Sequence, residues 1–255
     1  MTMTRSRQVL PGILTLTPTS LDTWNTCRRR YLNQHVLGIP ESDPTSGSSL
    51  GLFVHHILQN IHDSGSCQDD EHVHRVLASE QAHSDHMFDM IDRHRRRCPT
   101  TFEVARHEVW LARSHRSDTR FVVVARIDAL WVHDGLLDAR DYKTGRQWHT
   151  TIADDPAARA QAWVLDRWAN RRDLRLRLRY EYLATEIDDD PLAYEPESED
   201  LATVETELRT VVEAMRHEDQ WTVVNDPSVC TNCHYRSICP DSAAPPRDAA
   251  PNVTE

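Results

Sequence analysis

Three consecutive stretches, HEVWLA (107–112), RFVVVARIDALWV (120–132) and GLLDARDYK (135–143), are dense in β-branched and aromatic residues. Such side chains fit a pleated, half-buried surface, and His133-Asp134-Gly135 supplies turn residues between the last two stretches. The block predicts three antiparallel strands in a meander. Around it the period is helical. After Pro18, Thr19 or Ser20 is placed to cap a helix through LDTWNTCRRRYLNQHVL, with Trp24, Cys27 and Tyr31 on one face. ESDPTSGSS (41–49) reads as a loop, and SLGLFVHHILQNIH (49–62) as a helix with a Leu50, Val54, Ile57, Leu58 and Ile61 stripe. Residues 68–96 read as one longer polar helix. Downstream come a helix over 154–170, a strictly alternating strand LRLRLRYEYLA (174–184), and a helix over 198–217. Helices, three strands, helix, strand, helix: the order predicts a mixed α/β fold around one sheet.

A chain of 255 residues with 39% hydrophobic and 27% charged side chains is long enough for one sizeable core. One domain over 18–240 is expected, with 1–17 as an N-terminal extension and the Pro/Ala-rich 241–255 as a disordered tail. No stretch approaches the length of a membrane helix and the N-terminal apolar run is short for a secretory signal, so a cytoplasmic location is expected. A net charge of −11 excludes a wholly basic nucleic-acid binder, yet arginines cluster at 28–30, 93–97 and 171–179, compatible with a locally basic groove. The arginine face of LRLRLR is expected to be solvated, and Trp163 and Trp168 to belong to the core.

Lys143 is the only lysine in the chain; all other basic residues counted among the 29 Lys+Arg are arginines. An arginine would serve any generic salt bridge, so this position asks for a compact ammonium. Lys143 shares a strand face with Asp141, and Asp128 lies on the preceding strand across a short turn. Two carboxylates on adjacent strands can reach one hard cation such as Mg²⁺ or Mn²⁺, which takes oxygen ligands and keeps several waters. An ammonium beside them can orient a water, assist its deprotonation or stabilise charge on a phosphorane-like transition state.

The stretch ARIDAL…DARDYKTG resembles the metal-binding core of the PD-(D/E)xK nuclease superfamily, above all its RecB-like nucleases and CRISPR-associated iron–sulfur exonucleases. The resemblance spans roughly residues 19–240 and implies a restriction-endonuclease-like core: a mixed central sheet flanked by helices, with N-terminal helices and a C-terminal iron–sulfur segment. It assigns the histidine of the family's G-x-x-x-H-x-x-L helix to His55, in Gly51-Leu52-Phe53-Val54-His55-His56-Ile57-Leu58, and the glutamine after the lysine strand to Gln161. Glu108 is the candidate for a glutamate on the first strand. The implied metal ligands are His55, Asp128, Asp141 and the backbone carbonyl of Tyr142; Lys143 and Gln161 complete the catalytic set. Two positions depart from the family: Ala125 stands where glycine is common, two residues before Ile127-Asp128, and Leu165 where a tyrosine follows the glutamine by four residues. The implied activity is hydrolysis of phosphodiester bonds in DNA, as an exonuclease at single-stranded ends, with Arg28, Arg29 and Arg30 as candidates for tracking the backbone. A catalytically weak or inactive DNA-binding subunit is the alternative. A helicase or CRISPR-integrase partner could dock on the acidic 186–219 region.

Cysteines occupy 27, 67, 98, 230, 233 and 239. In a reducing cytoplasm disulfides are not expected, and Cys67 and Cys98 read as ordinary cysteines. Cys230-x2-Cys233-x5-Cys239 places three thiolates close enough to share one metal centre. The family resemblance supplies Cys27 as fourth ligand and implies a structural 4Fe–4S cluster. Zn²⁺ held with Cys27 or His234 is the competing reading.

Overall fold

The computed structural model describes residues 13–41, 46–80, 84–99, 104–115, 121–147, 149–185 and 191–243. The predicted meander is present: Val104–Ser114 (β2), Phe121–His133 (β3) and Leu136–Lys143 (β4) pair antiparallel in sequence order. Asp134 and Gly135 both have positive φ, 49° and 69°, the backbone that a tight hairpin of matching twist requires. Arg175–Tyr182 (β5) then joins β4 in parallel, after a crossover through the helix Pro156–Asn170 (α6).

Two strands escaped the sequence reading. Leu14–Leu16 (β1) pairs in parallel with Phe121–Val123, so part of the expected N-terminal extension belongs to the sheet. Leu192–Tyr194 (β6) closes the other edge on β5. Three residues are too few to show alternation. Since β2 also pairs with Val122 and Val123, β1 and β4 share one edge of β3 and β2 takes the other.

Helices cover both faces, giving a restriction-endonuclease-like layering. On one side Pro18–Thr26 (α1), α6 and Ser198–His217 (α7) pack on Val123, Ala125, Ile127, Leu137, Ala139 and Leu178. On the other, Ser46–Ser64 (α3), Asp70–Ser79 (α4) and Asp85–Arg97 (α5) pack on Ala129, Trp131 and Tyr142. Each fully buried Leu, Ile or Val in these layers contributes about 1.5–3 kcal/mol. Helix starts follow local chemistry: Thr17 caps α1 in a reciprocal box with Ser20, and Asp155 with Pro156 opens α6. Trp163 is buried in the core and Trp168 packs against it, as expected.

Several boundaries differ from expectation. The helix predicted over 21–37 breaks at Cys27, whose backbone is extended, and resumes as Arg28–Tyr31 (α2) and a π-helical turn, Leu32–Val36. The polar helix expected over 68–96 is two helices, α4 and α5. The LRLRLR arginines are not simply solvated: Arg179 bonds Asp138 at 3.0 Å and Arg177 meets Glu195 at 2.5 Å. Acidic residues of the 186–219 region are likewise engaged within the chain, Glu207 with Arg159 at 2.9 Å and Glu205 with His115 at 2.7 Å. Cys67 and Cys98 are not independent cysteines; they form a disulfide across 31 residues of sequence. Within the described residues, no helix is long and apolar enough to cross a membrane. The expected tail lies, beyond residue 243, outside the described residues.

Candidate active site

The site forms where β4 parts from β3. Their register ends at Ala129↔Arg140, while β4 stays paired with β5 through Lys143↔Tyr182. Tyr142 therefore turns backbone groups toward the gap, and two side chains take them up. Its N–H donates to Asp128 Oδ2 at 2.7 Å, and its carbonyl accepts from His55 Nε2 at 3.0 Å. A carbonyl only accepts, so Nε2 carries a proton, and in the neutral ring His55 Nδ1 keeps its lone pair. Nδ1 is buried, makes no well-formed hydrogen bond, and lies 3.3 Å from Asp128 Oδ1.

Glu108 completes this group. It sits on β2 between the register pairs His107↔Ala129 and Val109↔Ile127, facing Asp128, and adopts φ +50°. The left-handed region is costly for a non-glycine residue and persists where the surroundings enforce it, often at functional sites. Opposite it, Ile127 and Leu130 belong to the same core although three residues apart, so the alternation of β3 slips at Asp128. Donor atoms of His55, Glu108 and Asp128 all lie within 4.8 Å of one another. Arg126 reaches Glu108 at 3.0 Å. Arg126 thus adds a cation to the rim, while Ala125, where the family commonly has glycine, is buried in the core.

Asp141 borders this group and holds Lys143, whose Nζ lies 2.5 Å from Asp141 Oδ2 and 4.1 Å from the Tyr180 ring centroid. Burial and the nearby Asp128 charge raise the Asp141 carboxyl pKa against the lowering effect of Lys143. Burial works against the Lys143 ammonium, but Asp141 outweighs it and the pKa is raised. For His55 too, burial opposes protonation and is outweighed by Asp128, Asp141 and Glu108, giving a net rise. Burial, reinforced by Asp128 and opposed by Arg126, lifts the Glu108 carboxyl. Burial and mutual repulsion lift the carboxyls, while the same carboxylates hold protons on His55 and Lys143, so mostly buried oxygens crowd around one imidazole nitrogen. Such a set fits a hard divalent cation.

The backbone explains the glycine of the histidine helix. A Cβ on Gly51 would come within 2.8 Å of Thr144 Oγ1, just past the lysine strand. Gly51 lets α3 approach β4 closely enough for His55 to reach Tyr142. We predict that Gly51→Val pushes α3 outward and lowers metal-dependent activity at unchanged secondary structure, measured as a weakened metal response in a cleavage titration.

A sequence profile of the PD-(D/E)XK nuclease superfamily matches residues 15–240. The chain belongs to the PD-(D/E)XK nuclease superfamily. Nucleases of this superfamily use divalent metal ions. No curated protein matches the chain. Among solved structures, a candidate exonuclease from Eubacterium rectale is similar at 10% identity and a TM-score of 0.51, over 91% of this chain and 93% of that one. The crystal structure of SSO0001 is similar at 16% identity and a TM-score of 0.45, over 89% of this chain and 86% of that one. At 10% identity the likeness to the Eubacterium rectale structure speaks to the fold alone.

Other parts of the PD-(D/E)XK chain fall as follows. Gln161 is buried on α6 with its Oε1 unpaired. Leu165, in the position of the family's tyrosine, is fully buried in the core. Leu165→Tyr is predicted to overpack that core, costing ~1–3 kcal/mol of stability without raising activity, as a thermal melt and a cleavage assay would show. An aromatic ring nevertheless reaches the lysine, from Tyr180 on β5, which pairs directly with Asp141. Sequence reasoning missed it, although the alternation of 174–184 puts Tyr180 and Tyr182 on one face. Beyond it, His149 lies 3.3 Å from Asp155 Oδ2 and 2.6 Å from the Tyr182 hydroxyl.

Cys27, Cys230, Cys233 and Cys239 line one small cavity together with Arg29 and Arg30. All four are free cysteines, Cys27 and Cys230 buried. Their sulfurs are not among the groups, within the described residues, whose donor atoms close to within 4.8 Å of one another. The break at Cys27 turns its side chain toward the C-terminal segment, which Tyr235 ties down by donating to Ile39 O at 2.9 Å. His234 instead faces Glu41 at 3.8 Å. Arg28 forms an ion pair with Glu218 and lies over Trp24 at 4.8 Å, and Arg29 meets Asp241 at 3.8 Å. These arginines already have acidic partners.

Proposed function

We propose that this chain is a metal-dependent deoxyribonuclease of the RecB-like and CRISPR-associated iron–sulfur branch, hydrolysing phosphodiester bonds at single-stranded DNA ends. The observation that carries the reading is the buried, unpaired Nδ1 of His55 facing Asp128 and Glu108 beside the Asp141–Lys143 pair. His55, Asp128 and Asp141 would hold Mg²⁺ or Mn²⁺, with Glu108 accessory to them and the Tyr142 carbonyl adjoining. The metal would polarise the scissile phosphate and lower the pKa of a bound water.

The remaining work falls to the protein. Asp141 offers Oδ2 to Lys143, leaving Oδ1 for the cation. Lys143 acts as an ammonium, since its carboxylate partner holds the proton on it; it orients the attacking water and balances charge developing on the phosphate. Gln161, with a buried acceptor seeking a donor, positions Lys143 or that water. Tyr180 confines the ammonium to one side. Asp128 has two duties: it fixes the Tyr142 N–H and presents Oδ1 to the metal.

For the cysteines we propose the 4Fe–4S cluster. A tetrahedral zinc with Zn–S bonds of ~2.3 Å needs sulfurs ~3.8 Å apart. Four cysteines around one cavity without closing to that spacing suit a larger, polynuclear core. The cluster would join residue 27 to 230–239 and lock the α1–α2 junction to that C-terminal segment, within a nuclease domain that includes β1 and runs to 240.

Leu165 favours a second reading, a cluster-bearing DNA-binding subunit with little catalysis. The test is incubation of anaerobically purified protein with end-labelled single-stranded DNA and Mn²⁺, with and without EDTA. Metal-dependent shortening from the ends supports the exonuclease. DNA binding without cleavage supports the subunit. Internal cuts at no preferred distance from the ends would refute the exonuclease assignment while retaining the nuclease.

A further inference from the structure

About two turns along α3 from His55, on the same face, a second donor set converges. His62 Nε2 lies 3.4 Å from Cys98 Sγ and 3.2 Å from His94 Nε2, and the donor atoms of His62, Cys67, His94 and Cys98 all lie within 4.8 Å of one another. Cys67, His94 and Cys98 are buried and His62 nearly so. His94 Nδ1 donates to Glu181 Oε1 at 3.1 Å, a carboxylate with no solvent exposure that Arg140 also holds at 2.9 Å. The proton therefore sits on Nδ1, and His94 Nε2 turns a lone pair toward His62 and the two sulfurs. A disulfide between Cys67 and Cys98 makes no use of two imidazole nitrogens aimed at it. A cation does.

We infer that Cys67, Cys98, His62 and His94 form a closed Zn²⁺ site, distinct from both the nuclease centre and the four-cysteine cavity. Two thiolates and two imidazoles are a donor set that zinc takes in structural sites, closed to solvent and to substrate. The buried carboxylate behind His94 is the outer-shell partner that orients a ligating histidine and raises its basicity. The chain arrangement fits a structural role. His62 is on α3, Cys67 follows that helix, His94 is on α5 and Cys98 ends it, so one ion would clasp α3 to α5 and, through Glu181, to β5. His55 lies about two turns before His62 on α3, so the clasp anchors the helix that presents the active-site histidine.

The disulfide is the oxidised counterpart of this site. Its reduction by a dithiol takes up two electrons and two protons, giving two thiols and one oxidised dithiol. Binding of Zn²⁺ then releases those two protons and leaves two thiolate ligands. Where a dithiol pool keeps cysteines reduced, the zinc form is the one expected.

The test uses the full chain purified under a thiol reductant and supplied with Zn²⁺ alone, then freed of excess metal. Elemental analysis of the wild type is compared with Cys67→Ser/Cys98→Ser, with iron measured alongside. The double variant is expected to lose one zinc per chain at unchanged iron, and Glu181→Gln to weaken zinc binding ~10–100-fold. A second measurement needs no variant. In the wild type, Cys67 and Cys98 are expected to resist maleimide until a chelator removes the metal, with peptide mapping to locate the adducts. Equal zinc in wild type and double variant would overturn the proposal. So would the same rate of labelling at these two cysteines with and without chelator, or their recovery as a cross-linked peptide after reductant and zinc.

Discussion

Lys143→Ala is expected to lower metal-dependent DNA cleavage by ~10²–10³-fold, the usual loss when one preorganised charge facing a transition state is removed. The fold should hardly notice. Lys143 lies at the end of β4, a third exposed, and its ion pair with Asp141 is the interaction forfeited. Lys143→Arg is the sharper experiment. The ammonium fits between Asp141 Oδ2 and the face of Tyr180, 4.1 Å away, whereas a planar guanidinium is larger and spreads its charge over five donors. Arginine should therefore recover little of the lost rate, which would explain why lysine persists here in a chain otherwise supplied only with arginine. Full activity in Lys143→Arg would mean that the position needs a positive charge and nothing more.

Asp128 substitutions should separate catalysis from folding. Asp128→Ala removes a proposed metal ligand and also leaves the Tyr142 N–H buried without an acceptor, so a loss of ~1–3 kcal/mol in stability is expected beside the loss of cleavage. Asp128→Asn keeps an oxygen for that N–H and should melt close to the wild type. Both variants should lose activity by ~10³-fold or more, because a bound cation supplies several kcal/mol and each ~1.4 kcal/mol is a factor of ten. Activity, melting temperature and metal titration on the two variants make the comparison. A normal rate in Asp128→Asn would remove this residue from the metal centre, and equal stability of the two would remove it from the Tyr142 contact.

Much of the sheet was legible in the chain because its signals are local. The β-rich run 107–143, the turn at Asp134-Gly135, the alternation of 174–184 and the helical period of 198–217 each depend on neighbours a few residues apart. The same holds for Lys143 sharing a face with Asp141. What failed had no local signal. A three-residue strand such as Leu14–Leu16 has too little length to alternate, and it is a strand only because the edge of β3 is there to receive it. The break at Cys27 falls inside a helical pattern, and the residue there lines a cavity with cysteines about 200 positions away.

For the site, the sequence by itself determined the cast: one lysine, the Asp-x-Lys strand, the glycine-spaced histidine, the cysteine triplet and the order in which they occur. Tertiary structure alone decided the partnerships. It set His55 on the Tyr142 carbonyl, brought Glu108 with its left-handed backbone against Asp128, slid Tyr180 under Lys143, and carried His62 and His94 to the two cysteines that sequence spacing had left unrelated. The physical reason is range. Side-chain period and turn chemistry act over a few residues and are written in adjacent letters. Contacts between residues tens of positions apart exist only once the cores on both faces of the sheet have closed and set the distances between helices and strands.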